Sequence, residues 1–378
     1  MRKFPPTRFG QPIRLSGQQV YFSFWPVVQL PNALFVDSML WTNDPWTTIE
    51  STFVGQNDVG GDVGELQRLF LLQSREFFAA AGSASPRGAQ ATLYYYSFLN
   101  LAKAFVLQME SNAPFGPLTH GLSARTSTIG DPLQDGWITF RDGDSSAFAE
   151  FARALGPADF ASAHSVRAGA LAAQSLVGHR LWSQAKGVPE KYVRLRYANF
   201  WDAPKEMLLT VCVSNGDAMR RHATLEEFSR SVGLPSGMLW QPAYEKDHEF
   251  IQIGQFLPKS KMGSTNAETA QAIMEIIRGI RPILSRFVTT IPPDFRRYYF
   301  FALDSGEVRY PQLLCYYAFM FYLGSMARYH PRQLRKLLDS ELAPFVVEFL
   351  STVPLQFLYL IASEFKKQEV SRAAVVSA

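Results

Sequence analysis

Leu93-Tyr94-Tyr95-Tyr96-Ser97-Phe98-Leu99-Asn100-Leu101-Ala102-Lys103-Ala104 and the later stretch Tyr316-Tyr317-Ala318-Phe319-Met320-Phe321-Tyr322-Leu323-Gly324-Ser325-Met326-Ala327-Arg328-Tyr329-His330-Pro331 decide how this chain is read. Both are aromatic-rich and helical in pattern, and each closes on a compact polar cluster. A polar side chain inside such a helix must find a partner or serve chemistry, because a bare one costs roughly 1 to 3 kcal/mol. Residues three or four apart share a helical face, so Tyr96, Asn100 and Lys103 form one stripe. In the second stretch Gly324 permits close helix approach. Pro331 stops the helix, so that Arg328, Tyr329 and His330 gather at its end.

Outward from the first stretch, Leu66, Leu69, Phe70 and Phe77 fall at one-face spacing and predict a helix from Glu65 to about Gly82. Ser85-Pro86 is a cap and first-turn pair that starts the aromatic helix, which runs to about Glu110. A short turn joins the two helices, so they are expected to pack as an antiparallel hairpin. Residues 114–146 are rich in turn formers, with one strand, Trp137 to Phe140. Helices are expected from Ser145 to Ala154 and from Ala168 to Ala185. The alternation over Lys191 to Asn199, the β-prone run Met207 to Val213, and Phe250 to Phe256 predict a small antiparallel sheet. Thr265-Asn266-Ala267-Glu268 is a capping box ahead of Ile273, Ile276, Ile277 and Ile280. Tyr298 to Tyr310, around Asp304-Ser305-Gly306, reads as a hairpin or a turn. Two helices close the chain, at 332–339 and at 342–366, the latter bent by Pro354. The organisation expected is a wrapping segment, 1–64, whose prolines break long helices, and a helical hairpin, 65–125. A mixed insertion, 126–260, and a C-terminal helical part, 261–378, packed on the hairpin, complete it. The fold class is mainly α with a small antiparallel β sheet.

Of 378 residues 47% are hydrophobic and 19% charged, which suits a large folded core and argues against extensive disorder. The net charge of +4 permits an anionic partner without requiring one. Two cysteines, Cys212 and Cys315, sit in apolar stretches and are expected as free thiols, not a disulfide framework. The start lacks an apolar stretch of signal-peptide length, which gives the expectation of a cytoplasmic location. Phe345 to Ser363 is interrupted by Glu348, Pro354 and Gln356, and Leu313 to Ala327 falls short of the roughly 20 residues a spanning helix needs. Both read as buried core helices, with no membrane partner.

The stripe Tyr96, Asn100 and Lys103 combines a phenol, an amide and an ammonium, a set that receives a phosphate or holds a neighbouring loop. Arg328 and His330, followed by Arg332, Arg335 and Lys336, form a basic helix end beside tyrosines. Such an end suits nucleotide or RNA phosphates with a base stacked nearby, or simply answers the helix dipole. His120, ahead of Gly121, is a candidate acid or base near neutral pH. The chain has no G-x-x-x-x-G-K-[ST] loop, G-x-G-x-x-G turn, G-x-S-x-G elbow or H-E-x-x-H helix. Tyr244 to Glu249 packs ionisable groups without metal-ligand spacing and reads as a solvated turn. No cofactor or metal is called for.

Tyr95-Tyr96 through Asn100-Leu101-Ala102-Lys103-Ala104, then His120-Gly121-Leu122, and then Leu323-Gly324-Ser325-Met326-Ala327-Arg328-Tyr329-His330-Pro331 resemble the YaaC-like family of bacterial proteins in order and spacing. The resemblance runs from about residue 40 to 365 and implies an architecture without a settled activity. Residues 65–125 also resemble the helical HEPN group, which includes RNA-cleaving toxins and phage-defence effectors, and imply an HEPN-like helical core with insertions. HEPN ribonucleases place a histidine four to six residues after an arginine, and none of the six histidines here has one at that distance. The resulting expectation is a binding or regulatory protein whose anionic ligand, nucleotide or RNA, sits at Tyr96, Asn100, Lys103, His120, Arg328 and His330, with a place in bacterial defence. A metal-independent ribonuclease and a scaffold subunit with a protein partner are the alternatives.

Overall fold

The computed structural model describes residues 11–30, 35–53, 62–85, 87–109, 119–142, 146–156, 158–202, 207–214, 239–245, 248–256, 265–291, 297–302 and 308–373. Its contacts divide the chain into two units, one made of 1–43, 191–309 and 366–378, the other of 44–190 and 310–365. Among the described residues the protein is mainly helical, with antiparallel sheets.

The first unit is built on a sheet of seven strands. Strands β10 (Tyr192–Asp202), β11 (Met207–Ser214) and β13 (His248–Phe256) correspond to the three expected from sequence, and they are neighbours in the order β13-β11-β10. The sheet is larger than three strands. β12 (Leu239–Glu245) adds at one edge, paired with β13 so that Tyr244 faces Glu249 and Glu245 faces His248. On the other side come β15 (Arg297–Phe301) and β14 (Val288–Ile291), and β1 (Gln11–Pro12) pairs with the far end of β10. The partner of Tyr298 is thus the upstream strand β14, and Asp304-Ser305-Gly306 lies outside the described residues. A capping box at Thr265 and Glu268 opens the helix Asn266–Phe287, here α7. That helix buries Ile273, Ile276, Ile277 and Ile280 in one cluster with Val193, Phe200 and Phe300.

The second unit is helical. Helices α2 (Asp62–Ser83) and α3 (Arg87–Met109) form the expected antiparallel hairpin. Ser74 Oγ donates to the Ser97 carbonyl at 2.7 Å, and Gln67 Nε2 to the Ala104 carbonyl at 3.1 Å. Seven steps down one helix meet seven steps up the other, as antiparallel packing requires. Helix α8 (Gln312–Tyr329) packs on α3, and every residue from Gln312 to Met326 is buried. A helix apolar on all sides must be surrounded. Helix α9 (Pro331–Leu338) follows it, with His330 capping both. Then α10 (Ala343–Lys366) stacks Phe357 on Phe98 at 3.8 Å between ring centres. This is the one described helix long and apolar enough to cross a bilayer, and 67% of its most apolar window is buried within the protein.

A three-stranded sheet, β7 (Leu122–Arg125), β8 (Trp137–Phe140) and β9 (His164–Arg167), lies in the same unit with α4 (Ala147–Leu155). The single helix expected over Ala168 to Ala185 is two, α5 (Ala168–Ala173) and α6 (His179–Lys186). The break is made by Gln174, whose side chain accepts the Tyr310 backbone N–H at 2.9 Å, and by Gly178. At Gly178 φ is +73° and an added Cβ would sit 3.0 Å from the Phe345 ring. Neither demand is visible in the periodicity.

Gly324 sets the approach of α8 to α3. A Cβ there would lie 3.2 Å from the Ala91 carbonyl oxygen and 3.3 Å from Tyr95 Cβ, both parts of a rigid helix. Gly324→Val is therefore expected to cost about 1–3 kcal/mol through overpacking, measured by urea unfolding. Gly82→Ala, which meets nothing within 4 Å, is the control and is expected to be neutral or to gain up to about 1 kcal/mol from helix propensity.

Candidate functional site

Arg328 stands where α3 and α8 meet. Its Nη1 donates to the Tyr96 hydroxyl at 2.8 Å, and its Nε donates to the Gly324 carbonyl, one turn back, at 3.2 Å. The guanidinium carbon is 5.4 Å from the ring centres of both Tyr95 and Tyr96, and 5.1 Å from that of Tyr329. These are cation–π distances, and they place the charge over aromatic faces. Three of its five N–H groups have no protein acceptor among the described residues.

Tyr95 is completely buried, and its hydroxyl lies 2.5 Å from Nδ1 of His120. Burial drives the phenol far above its ordinary range despite the nearby Arg328. With no other acceptor among the described residues, its proton goes to Nδ1, which leaves the ring hydrogen of His120 on Nε2. His120 itself is exposed on one side. Desolvation on the other side holds it below the ordinary histidine value of 6.5, helped by the charges of Arg328 and then Lys103. Gly121, beside it, has φ +72°, and an added Cβ would collide with the Ser146 hydroxyl, so the turn that presents the imidazole requires glycine.

Lys103 is half-buried, with Nζ 5.0 Å from the centre of the Phe70 ring. Burial pulls its amine below its usual range. Neither Lys103 nor Arg328 has a carboxylate at ion-pair distance among the described residues.

The six residues singled out in the sequence are thus only partly brought together. Tyr96, His120 and Arg328 share one cluster, and Lys103 acts on it electrostatically. Asn100 is buried and turned to α2, where its Nδ2 lies 3.4 Å from Gln73 Oε1. His330 serves the junction of α8 and α9 through its backbone, its N–H donating to the Met326 carbonyl at 2.8 Å and its carbonyl accepting from Gln333 and Leu334. Two of the basic residues beyond it are already engaged. Arg335 pairs with Asp339 at 2.7 Å, and Lys336 donates to the Ile129 and Gly130 carbonyls at 3.2 and 2.8 Å. Tyr95 is the residue the stripe missed. It lies on the buried face of α3, and nothing in the spacing ties it to a histidine one loop later.

A cleft of about 500 Å³ lies elsewhere in this unit, lined by Asp131, Pro132, Lys186, Lys336, Leu337 and Leu342 among others. Burial alone would raise the Asp131 carboxyl, but hydrogen bonds from Lys186 at 2.7 Å and from the backbone of Gln134 and Leu133 hold it below its usual range. This pair is already satisfied, and the cleft contains none of the six residues.

Because the folded protein keeps His120 neutral, the unfolded chain binds the extra proton. Stability therefore rises with pH between the lowered folded value and about 6.5, and the penalty is complete below that window. Arg328→Gln is expected to move the His120 midpoint upward in a proton NMR titration and to narrow the window. An unchanged midpoint would place Arg328 outside electrostatic reach.

No curated protein and no solved structure matches the chain, whereas the family model described as YaaC-like Protein matches residues 65–365. That span takes in the α2–α3 hairpin, His120 and the helix carrying Arg328, and the chain belongs to the YaaC-like family.

Proposed function

We propose that this YaaC-like protein is a binding or regulatory component that recognises an anionic ligand, a nucleotide or RNA, at Arg328, His120 and Lys103. The observation that carries the reading is charge without counter-charge. Two partly buried cations, Arg328 and Lys103, act electrostatically on the His120 imidazole, and no carboxylate among the described residues pairs with them. Burying a cation without a partner is costly, so such a cluster is best explained by an anion supplied from outside. The helix dipole accounts for Arg328 at the end of α8, but not for Lys103, which sits mid-helix in α3. Tyr329, 67% exposed beside the guanidinium, offers a face on which a base can stack. A cytoplasmic place in bacterial defence belongs to the same proposal and draws on the HEPN likeness of residues 65–125.

One observation favours a second reading, a metal-independent ribonuclease. His120, held below its ordinary value, packs on the same two tyrosine rings as Arg328, so a base and a phosphate-stabilising cation coexist without the HEPN sequence spacing.

Native mass spectrometry of molecules released from the purified protein tests the proposal. Wild type is expected to carry a nucleotide or RNA, and Arg328→Gln or Lys103→Gln to lose it. Each removes a charge-assisted hydrogen bond of about 1.5–3 kcal/mol, roughly ten- to a hundredfold in affinity. Folded wild type that carries no anion and binds none when nucleotides or RNA are added would sink the proposal. Hydrolysis of RNA by wild type, absent in a folded His120→Ala variant, would select the ribonuclease.

A further inference from the structure

We infer that the anion site is built for a terminal phosphate, the monoester dianion of a mononucleotide or of an RNA end, and discriminates against the internal phosphodiester. The inference rests on the anion-site reading and deepens it. Three kinds of donor are available to the site: the unused N–H groups of Arg328; the ammonium of Lys103, on the same face of α3 as Tyr96; and Nε2–H of His120. The third is fixed by Tyr95, whose buried hydroxyl spends its proton on Nδ1 and leaves the ring hydrogen on Nε2 of this exposed histidine. A protonated imidazole would turn Nδ1 into a donor and strip that buried hydroxyl of its acceptor, so the site keeps His120 neutral. Among the described residues, the groups that act on His120 are Tyr95, Tyr96 and Lys103 from α3 and Arg328 from α8, with no carboxylate among them.

The fixed charge is therefore two positive, matched to the dianion of a phosphomonoester, which carries about −1.5 to −2 near neutral pH. A monoester presents three terminal oxygens to these three donors. A diester presents two, carries a single charge, and continues as chain on both sides. Tyr95 is a positioning residue here, and Arg328, Lys103 and His120 are the ligand contacts.

The test compares three probes by calorimetry with the full-length protein: adenosine 5′-monophosphate, a 5′-phosphorylated RNA tetranucleotide, and the same tetranucleotide with a 5′-hydroxyl. The expected result is binding of a phosphorylated probe at least roughly tenfold tighter than the hydroxyl oligomer, an advantage lost in Lys103→Gln. Affinity should rise with pH through about 6 as the phosphate takes its second charge. Tight binding of the mononucleotide alone identifies a free nucleotide as the source, and tight binding of the phosphorylated oligomer identifies an RNA end. Equal binding of both oligomers, weakened equally by Lys103→Gln, would overturn the terminal-phosphate inference while leaving the anion site standing. No binding of any probe would overturn both. Nitrogen NMR of the His120 ring supplies a readout that loss of stability does not mimic: Nε2 carries the hydrogen in wild type, and Tyr95→Phe releases that preference. A wild-type ring with its hydrogen on Nδ1 would also contradict the inference.

Discussion

The close approach of α8 to α3 at Gly324 is the constraint on which the site depends. A missing Cβ lets one helix rest against the Ala91 carbonyl and the base of the Tyr95 side chain. One turn later along α8, Arg328 falls across the faces of Tyr95 and Tyr96 instead of into solvent. The same approach buries Tyr95, and burial makes its hydroxyl seek the one acceptor in reach among the described residues, His120. A steric fact about a glycine thereby becomes an electrostatic fact about an imidazole and a cation.

Tyrosine does comparable work throughout this helical unit. The Tyr322 hydroxyl donates to the Pro132 carbonyl, and Gly136 leaves room for that hydroxyl where a side chain would not. Burial pushes the Tyr322 phenol up to about 12, so it stays a neutral donor. Tyr310 meets His164 Nε2 at 2.8 Å, and Tyr316 donates to Gln356 Oε1 at 3.3 Å. Each of these phenols gives a large apolar face to the core and one directed hydrogen bond to a loop, a strand or a neighbouring helix. The aromatic content of the chain is thereby mostly packing, with the bonds deciding which loops are held. At Arg328 alone among these places does an aromatic cluster also surround a cation that lacks a described counter-charge.

The helices were legible because their signals are local. Apolar spacing, the capping box at Thr265 and the stop at Pro331 act within a turn or two, and the structure places the corresponding elements within a few residues. The strand Trp137 to Phe140, set between Gly136 and Gly143 in the sequence, was legible for the same reason. Features that depend on distant partners were not legible. Gly178 breaks a helix because Phe345 packs against it, and β14 pairs with a strand whose own partner was sought downstream. The site shows the same division. Tyr96 and Lys103 were marked by helical spacing and Arg328 by its place at a helix end. Asn100 obeys the same spacing, but its side chain is taken up by Gln73 on α2. Tyr95 needed the His120 turn to be seen at all.

The central claim is that the Arg328, His120 and Lys103 cluster is completed by a phosphate. The most direct measurement is a crystal structure of the protein with adenosine 5′-O-thiomonophosphate, using the anomalous signal of its sulfur to locate the ligand without bias. The account predicts a sulfur peak within hydrogen-bonding reach of Arg328 and His120, on the side facing Lys103. A peak confined to the cleft at Asp131 and Lys186, or a cluster left without ligand at saturating analogue, would contradict it.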